Sequence, residues 1–406
     1  MFTVEIIQKN ASTESKDELI KNCQQFLHKY EGISPGKVLS DFNDFDYLTN
    51  NVLSIILDEK IKISDIESGC HNLRWVVYRL DGFGPQEDVL QDSDEVLTLS
   101  TNWILPSADL HCLWENLIYE NEIKQNLLKF AETTLLFSAN KIDQNIISSN
   151  RMVLLHGPPG TGKTSLCRAF AHKVAARLRD RYTNAQLIEI NSHSLFSKWF
   201  SESGKLVTKM FAHIRDVSED VNSLVFVLID EVESLAHART QALSGTEPSD
   251  SIRVVNAVLT QIDQMCKYNN VFILTTSNMT EAIDLAFVNR ADIKQFIALP
   301  SAHAIYQVYY TCLQELLRVG IISPRDVILP HTALLLVETH PNTDSAVLLE
   351  ISHLSVGLSG RTLRKIPFLA QALFLNKNKS SLREFLEAMR LAVLKHIEDT
   401  NSIESK

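Results

Sequence analysis

The sequence predicts an α/β fold in which a parallel sheet with flanking helices is preceded by a small α+β domain and followed by a helical domain. Three apolar runs predict the sheet, at residues 152–155, 224–229 and 271–274. A glycine-rich turn and then a helix-like pattern come soon after the first run. Beyond Pro300 the patterns are helical, for example over 305–319 and 382–397, which predicts the third domain.

The parts of the chain before the sheet differ from one another in pattern. Residues 1–80 mix short β-like runs with a helix that a capping box at 15–18 signals, so we predict an α+β domain. Residues 81–102 are acidic and rich in turn-forming residues, and we predict a linker there. The sheet domain is then expected at 103–300 and the helical domain at 301–406.

The glycine-rich turn matches the pattern G-x-x-x-x-G-K-[ST] between a strand pattern and a helix pattern. Gly160 and Gly162 allow backbone N–H groups to converge on phosphate oxygens. We expect Lys163 to pair with the β- and γ-phosphates of ATP, and Thr164 to offer its hydroxyl to Mg²⁺. A glycine-rich turn without a ligand is the alternative, and the flanking patterns argue against it. The predicted nucleotide-binding residues of this segment are Gly157, Pro158, Pro159, Gly160, Thr161, Gly162, Lys163, Thr164 and Ser165.

Polar residues end the other two apolar segments. Asp230 and Glu231 follow the run 224–229, where we expect Asp230 to hold Mg²⁺ and Glu231 to deprotonate the attacking water. Asn278 ends the third segment and is expected to position that water. A solvated turn is the alternative for the two acids, and a simple turn former is the alternative for the amide. The order of the three segments along the chain favours a site that hydrolyses ATP.

These three segments, in this order, resemble those of AAA+ ATPases. The resemblance extends to 284–292, which is similar to the arginine-finger region, and to 358–361, which is similar to the start of the sensor-2 helix of the lid. It implies that Arg290 reaches the nucleotide of a neighbouring subunit and that Arg361 contacts the nucleotide of its own subunit. Many members carry a second arginine three residues beyond the first, where this chain has Ile293. An ordinary surface salt bridge is the alternative for each arginine.

Longer strings are similar to those of the pachytene checkpoint AAA+ group, which acts on HORMA-domain proteins. They include 189–205, 230–235, 245–250 and 253–263. The resemblance implies a homo-hexamer that remodels HORMA-domain proteins, with a HORMA-like adaptor, in meiotic chromosome axis control and spindle checkpoint signalling. It also implies that Trp199 and Phe200 line the central pore, where aromatic side chains grip an extended polypeptide. Packing in the core or on an adjacent subunit is the alternative for Trp199.

Composition limits the remaining partners. The formal net charge of −10 argues against a broad basic surface for nucleic acid. No run of about 18 apolar residues occurs, so we expect no membrane partner. The six cysteines form no C-x-x-C pair, which argues against a zinc site or a disulfide framework. The cysteine pattern is typical of the reducing cytoplasm or nucleus, and the resemblance implies chromosomes as the nuclear setting.

The residues leave two other functions open. A nucleotide-gated scaffold would bind ATP without hydrolysing it, and the presence of Glu231, Asn278 and Arg290 argues against it. Another AAA+ activity, such as microtubule severing or clamp loading on DNA, is the second alternative. The acidic net charge disfavours both of those polyanionic partners.

Overall fold

The computed structural model describes the chain except residues 1, 31–35, 43–44, 60, 62–72, 93–94, 121, 192–202, 235–249, 279–284, 325–326, 332–342, 376 and 405–406. The chain forms two compact units. The first comprises 1–115, 125–155 and 164–295, and the second comprises 116–124, 156–163 and 296–406.

The first unit begins with a four-stranded sheet and two helices. The strands are β1 (Phe2–Gln8), β2 (Val38–Leu39), β3 (Val52–Leu57) and β4 (Leu73–Tyr78), in the order β2-β3-β1-β4. The helices are α1 (Lys16–Lys29) and α2 (Asp46–Asn51). Ser15 caps α1 by accepting a hydrogen bond from the backbone N–H of Glu18, and the apolar side of α1 joins the core of this domain. The predicted α+β character of the N-terminal region is confirmed.

A seven-stranded sheet forms the centre of the α/β domain. Its strands are β5 (Gln86–Asp92), β6 (Glu95–Ile104), β7 (Met152–His156), β8 (Asn184–Asn191), β9 (Ser223–Asp230), β10 (Val271–Ser277) and β11 (Ile293–Phe296), in the order β11-β7-β10-β9-β8-β6-β5. Strand β9 is parallel to both β8 and β10. Strands β7, β9 and β10 are almost wholly buried, which explains their continuous apolar sequences and confirms the three predicted strands.

Helices accompany this sheet. They are α3 (Leu113–Asn116), α4 (Ile123–Ala139), α5 (Lys163–Arg177), α6 (Ser203–Ser218), α7 (Asp250–Met265) and α8 (Leu285–Arg290). Apolar residues of α6, α7 and α8 pack with those of β7, β8, β9 and β10 in one core.

The predicted linker at 81–102 is wrong for most of its length. Strands β5 and β6 form an antiparallel hairpin there, and residues 100–104 of β6 pair antiparallel with 186–190 of β8. The hairpin therefore extends the seven-stranded sheet at its edge. Strand β5 lies at the edge of the sheet, where charged side chains are tolerated, so its acidic composition did not reveal the hairpin.

The second unit contains the helical domain that the sequence predicted. Its helices are α9 (Ala302–Arg318), α10 (Asp344–Leu354), α11 (Gly360–Phe374) and α12 (Leu382–Glu404). Ser301, Thr343 and Ser359 cap the first three of these helices through their hydroxyl oxygens. All four helices contribute to one apolar core, on which Ile118 also packs. Among the described residues, no helix has the length and apolarity needed to cross a membrane.

Candidate active site

The predicted phosphate-binding loop joins strand β7 to helix α5. Gly157, Gly160 and Gly162 have φ values of 142°, 76° and 91°, which residues with a Cβ rarely adopt. A Cβ on Gly157 would lie 2.2 Å from the carbonyl oxygen of Ile297, and one on Gly160 would lie 2.7 Å from Ser359 Oγ. The backbone conformation and the lack of space both require glycine at these two positions.

The Lys163 side chain is buried at this loop. Its Nζ donates hydrogen bonds to the carbonyl oxygens of Gly157 and Pro158, each at 2.8 Å. Thr161 Oγ1 donates to the carbonyl oxygen of Pro158 at 2.9 Å. Phosphate oxygens carry charge and are stronger acceptors than these carbonyls, so the ammonium can exchange its present partners for a bound phosphate.

Two other segments of the second unit contact the loop. Tyr119 Oη lies 3.3 Å from the carbonyl oxygens of Thr161 and Gly162 and donates to them. The backbone N–H of Arg361 donates to the carbonyl oxygen of Gly160 at 3.1 Å, at the first turn of helix α11. The structure therefore places Arg361 beside the loop, and its contact with the nucleotide stays a prediction. Tyr119 was not identified from the sequence.

The first unit holds the predicted magnesium ligands. Thr164 Oγ1 donates to the carboxylate of Asp230 at 2.9 and 3.1 Å, and the Thr276 hydroxyl also donates to that carboxylate. Mg²⁺ prefers oxygen ligands and uses one or two from the protein, the others being water and phosphate. A hydroxyl and a carboxylate in contact fit that preference. The described residues contain no cluster of three or more His, Cys, Asp or Glu that would suit a different metal.

Glu231 and Asn278 meet beside this pair. Asn278 Nδ2 donates to Glu231 Oε1 at 3.3 Å, and the backbone N–H of Asn278 donates to Glu233 Oε1 at 3.0 Å. Glu231 has a φ of 56°, a left-handed conformation that costs a non-glycine residue about 1–2 kcal/mol. Its backbone N–H donates to Thr276 Oγ1 at 3.2 Å, which helps to hold this conformation. Thr276 thus holds the backbone of Glu231, and the amide of Asn278 holds its carboxylate, the group expected to act as the base.

Arg290 is the last residue of helix α8 and pairs with Asp263 of helix α7. Nε and Nη2 of Arg290 donate to the two carboxylate oxygens of Asp263 at 2.7 and 2.8 Å. The Arg290 side chain remains 27% exposed. Asn150 Nδ2 donates to the carbonyl oxygen of Arg290 at 2.8 Å, which attaches the end of α8 to the start of β7. Arg290 is therefore oriented at both its guanidinium and its backbone.

The remaining predictions differ in how far the structure bears on them. Trp199 and Phe200 lie outside the described residues. Thr276 and Glu233 contact the predicted residues but were not identified from the sequence. Thr276 carried a signal, because it belongs to a polar stretch at the end of an apolar strand.

Comparisons with known proteins identify the family. Residues 153–299 match the family described as ATPase family associated with various cellular activities (AAA), and 301–397 match the TRIP13-like AAA+ ATPase lid C-terminal domain. A Pachytene checkpoint protein 2 homolog of Canis lupus familiaris is 49% identical, with 99% of this chain and 94% of that protein covered. The chain belongs to the pachytene checkpoint protein 2 family. The Homo sapiens homolog is 48% identical, with 98% of this chain and 94% of that protein covered.

Solved structures agree with this membership of the pachytene checkpoint protein 2 family. The structure of C. elegans PCH-2 has a TM-score of 0.79 and 32% identity, covering 98% of this chain and 99% of that chain. A chain of the E. coli MS115-1 HORMA:CdnC:Trip13 complex has a TM-score of 0.54 and 19% identity, covering 71% of this chain and 93% of that chain. The second likeness concerns the fold alone. The family assignment makes this protein an AAA ATPase and confirms the predicted fold class and nucleotide binding.

Proposed function

We propose that this ATPase uses ATP hydrolysis to remodel HORMA-domain proteins and works as a homo-hexameric ring. The hydrolytic part rests on one observation: the end of strand β9 brings Asp230 into contact with Thr164 of helix α5 and Glu231 into contact with Asn278, which follows β10. The substrate class is supported by membership of the pachytene checkpoint protein 2 family and by the solved assembly of a HORMA protein with a Trip13.

In the proposed reaction, Glu231 accepts the proton of the water that attacks the γ-phosphate of ATP. Asn278 holds the Glu231 carboxylate and orients the same water. Lys163 and the backbone N–H groups of the loop bind the phosphates. Thr164 and Asp230 would hold Mg²⁺, which when bound neutralises charge on the phosphate oxygens.

The ring is proposed because Arg290 is expected to complete the site of a neighbouring subunit. Its partial exposure and its fixed orientation at the end of α8 support such a role. An arginine that acts in trans needs adjacent copies of the chain, and a closed ring supplies one to every site. Arg361, which lies beside the loop of its own chain, would act in cis.

Substrate handling is assigned to two other parts of the chain. We propose that Trp199 and Phe200 grip an extended segment of the substrate in the pore through their large aromatic surfaces. The N-terminal domain, 1–80, would recruit the HORMA-domain protein together with a HORMA-like adaptor. Chromosome axes in the nucleus and checkpoint complexes in the cytoplasm are the settings proposed for this activity.

Co-purification of defined components tests the substrate class. Glu231→Gln should keep ATP bound and hold a purified HORMA-domain protein, with its adaptor, in a stable complex. The matched control is Glu219→Gln, which changes an exposed carboxylate ahead of strand β9. A Glu231→Gln chain that binds ATP but retains no more HORMA-domain protein than the control retains would contradict the proposal.

A further inference from the structure

Five charged side chains meet where the N-terminal sheet packs on helix α5. Lys173 Nζ donates to Glu5 Oε2 at 2.8 Å and to Glu115 Oε1 at 2.7 Å. Arg177 donates to Glu5 Oε1 at 2.8 Å and to Asp58 Oδ2 at 3.1 Å. Glu5 belongs to β1 and Asp58 follows β3, whereas Lys173 and Arg177 belong to α5. We call these five residues the buried charge cluster.

Burial makes the cluster a strong attachment between the two domains. The side chains of Glu5 and Lys173 are only 1% and 4% exposed. Apolar residues of the N-terminal sheet, including Ile7 and Val76, pack with Ala176 of α5 next to them. A buried charge without a partner is strongly unfavourable, and here the partners come from different domains. Separation of the N-terminal domain from α5 would therefore remove partners from charges on both sides.

Helix α5 connects this cluster directly to the phosphate loop. The helix begins at Lys163, and Lys173 follows ten residues later, which places it about 15 Å along the helix axis. Only residues 79–85 separate strand β4 of the N-terminal domain from the edge hairpin of the central sheet. The domain is thus attached at two places, through a short covalent connection and through the cluster.

We propose that the buried charge cluster keeps the N-terminal domain docked on helix α5 throughout the ATP cycle, so that the domain and this helix move as one body. Glu5, Lys173 and Arg177 are then positioning residues, which act on the substrate only by fixing the domain that recruits it. The role in substrate conversion rests on the proposed function, whereas the docking itself does not.

A covalent bridge across the interface tests the proposal. Lys16 Nζ and Asp180 Oδ1 form an exposed pair between the same two domains, 2.8 Å apart. In the variant Lys16→Cys/Asp180→Cys, a short bis-maleimide joins the two introduced cysteines. The parent chain treated with the same reagent controls for its reaction with the native cysteines. We expect bridged rings to hydrolyse ATP and convert a HORMA-domain substrate within about twofold of unbridged rings. Loss of conversion with hydrolysis retained would overturn the proposal, because it would mean that the domain must undock.

Loosening the cluster should let the domain undock. Glu5→Gln removes the charge shared by Lys173 and Arg177, so we expect the ring of Tyr78, which packs with Ala176 of α5, to be oxidised by hydroxyl radicals about tenfold faster or more. Substrate conversion should fall by more than ATP hydrolysis does. Lys16→Ala, which removes the exposed pair, is the matched control and should change neither. Tyr78 oxidation and substrate conversion at wild-type rates in Glu5→Gln would contradict the proposal.

Oxidative footprinting also separates this proposal from the proposed function. If the wild-type chain converts no HORMA-domain substrate, the proposed function fails, but hydroxyl-radical oxidation of Tyr78 can still be measured with ATP and with ADP. The Tyr78 side chain is 4% exposed and packs in one apolar cluster with Ala176 of α5, so equal protection of its ring in both nucleotides supports permanent docking. Oxidation of the ring in one nucleotide state would refute it.

Discussion

Replacement of Lys173 by methionine would remove the cation that joins two buried carboxylates. Glu5 would keep Arg177 as a partner at 2.8 Å, but Glu115, whose side chain is only 10% exposed, would lose its contact at 2.7 Å. Removal of one partner from a buried ion pair destabilises a protein by about 3–5 kcal/mol. We expect Lys173→Met to lower the free energy of unfolding of the first unit by an amount in this range.

A double-mutant cycle measures whether this loss comes from charge. Lys173→Met/Glu115→Gln removes one charge of each sign, so the cluster returns to its original net charge. The double variant should be more stable than the sum of the two single losses predicts, by about 1–3 kcal/mol. Urea unfolding followed by circular dichroism measures all four chains. If the two single losses sum to the loss of the double variant within about 0.5 kcal/mol, the reasoning is refuted, because the two side chains would then not interact.

Four further predictions concern catalysis, assembly, substrate grip and pH. Glu231→Gln should bind ATP and lose about 10²–10⁴ in hydrolysis rate, measured by phosphate release; a near wild-type rate would exclude it as the base. Arg290→Ala and Lys163→Ala chains, each inactive alone, should regain hydrolysis in mixed rings, and continued inactivity despite verified co-assembly would count against action in trans. Trp199→Ala should keep basal hydrolysis and lose substrate conversion, so conversion at the wild-type rate would exclude a gripping role. Burial raises the pKa of Glu5, but the two cations of the cluster outweigh it and lower that pKa from 4.5 to about 2. The stability that Glu5 contributes should therefore be complete above pH 4.5 and disappear as the pH falls towards 2. A difference in the free energy of unfolding between wild type and Glu5→Gln that stays constant over this range would contradict this pH dependence.

The central strands and the residues at their ends could be predicted because local sequence determines both. A strand buried on both faces needs a continuous apolar run, and parallel strands bring their carboxyl ends to one edge of the sheet. Asp230, Glu231 and Asn278 follow such runs, and the structure brings Asn278 into contact with Glu231; their roles stay predictions. The need for glycine at 160 and 162 was predictable for a similar reason, since the loop has φ values of 76° and 91° there.

Other features depended on pairings that distant parts of the chain decide. Thr276 reaches Asp230 because the register of β9 and β10 pairs Thr275 with Ile229, and the sequence does not specify that register. The hairpin at 86–104 was mistaken for a linker, since its edge position permits acidic residues. Glu5 belongs to a β-like run, and only the docking of α5 explains why its carboxylate is buried.

Parallel measurement of phosphate release and HORMA-domain opening in one sample tests the central claim most directly. A purified closed HORMA-domain protein, with its adaptor, would be mixed with wild type, Glu231→Gln or the control Glu219→Gln in the presence of ATP and Mg²⁺. We predict that wild type and Glu219→Gln release phosphate and open the substrate together, whereas Glu231→Gln does neither while still binding ATP. Substrate opening by Glu231→Gln without phosphate release, or rapid hydrolysis by wild type without opening, would contradict the account.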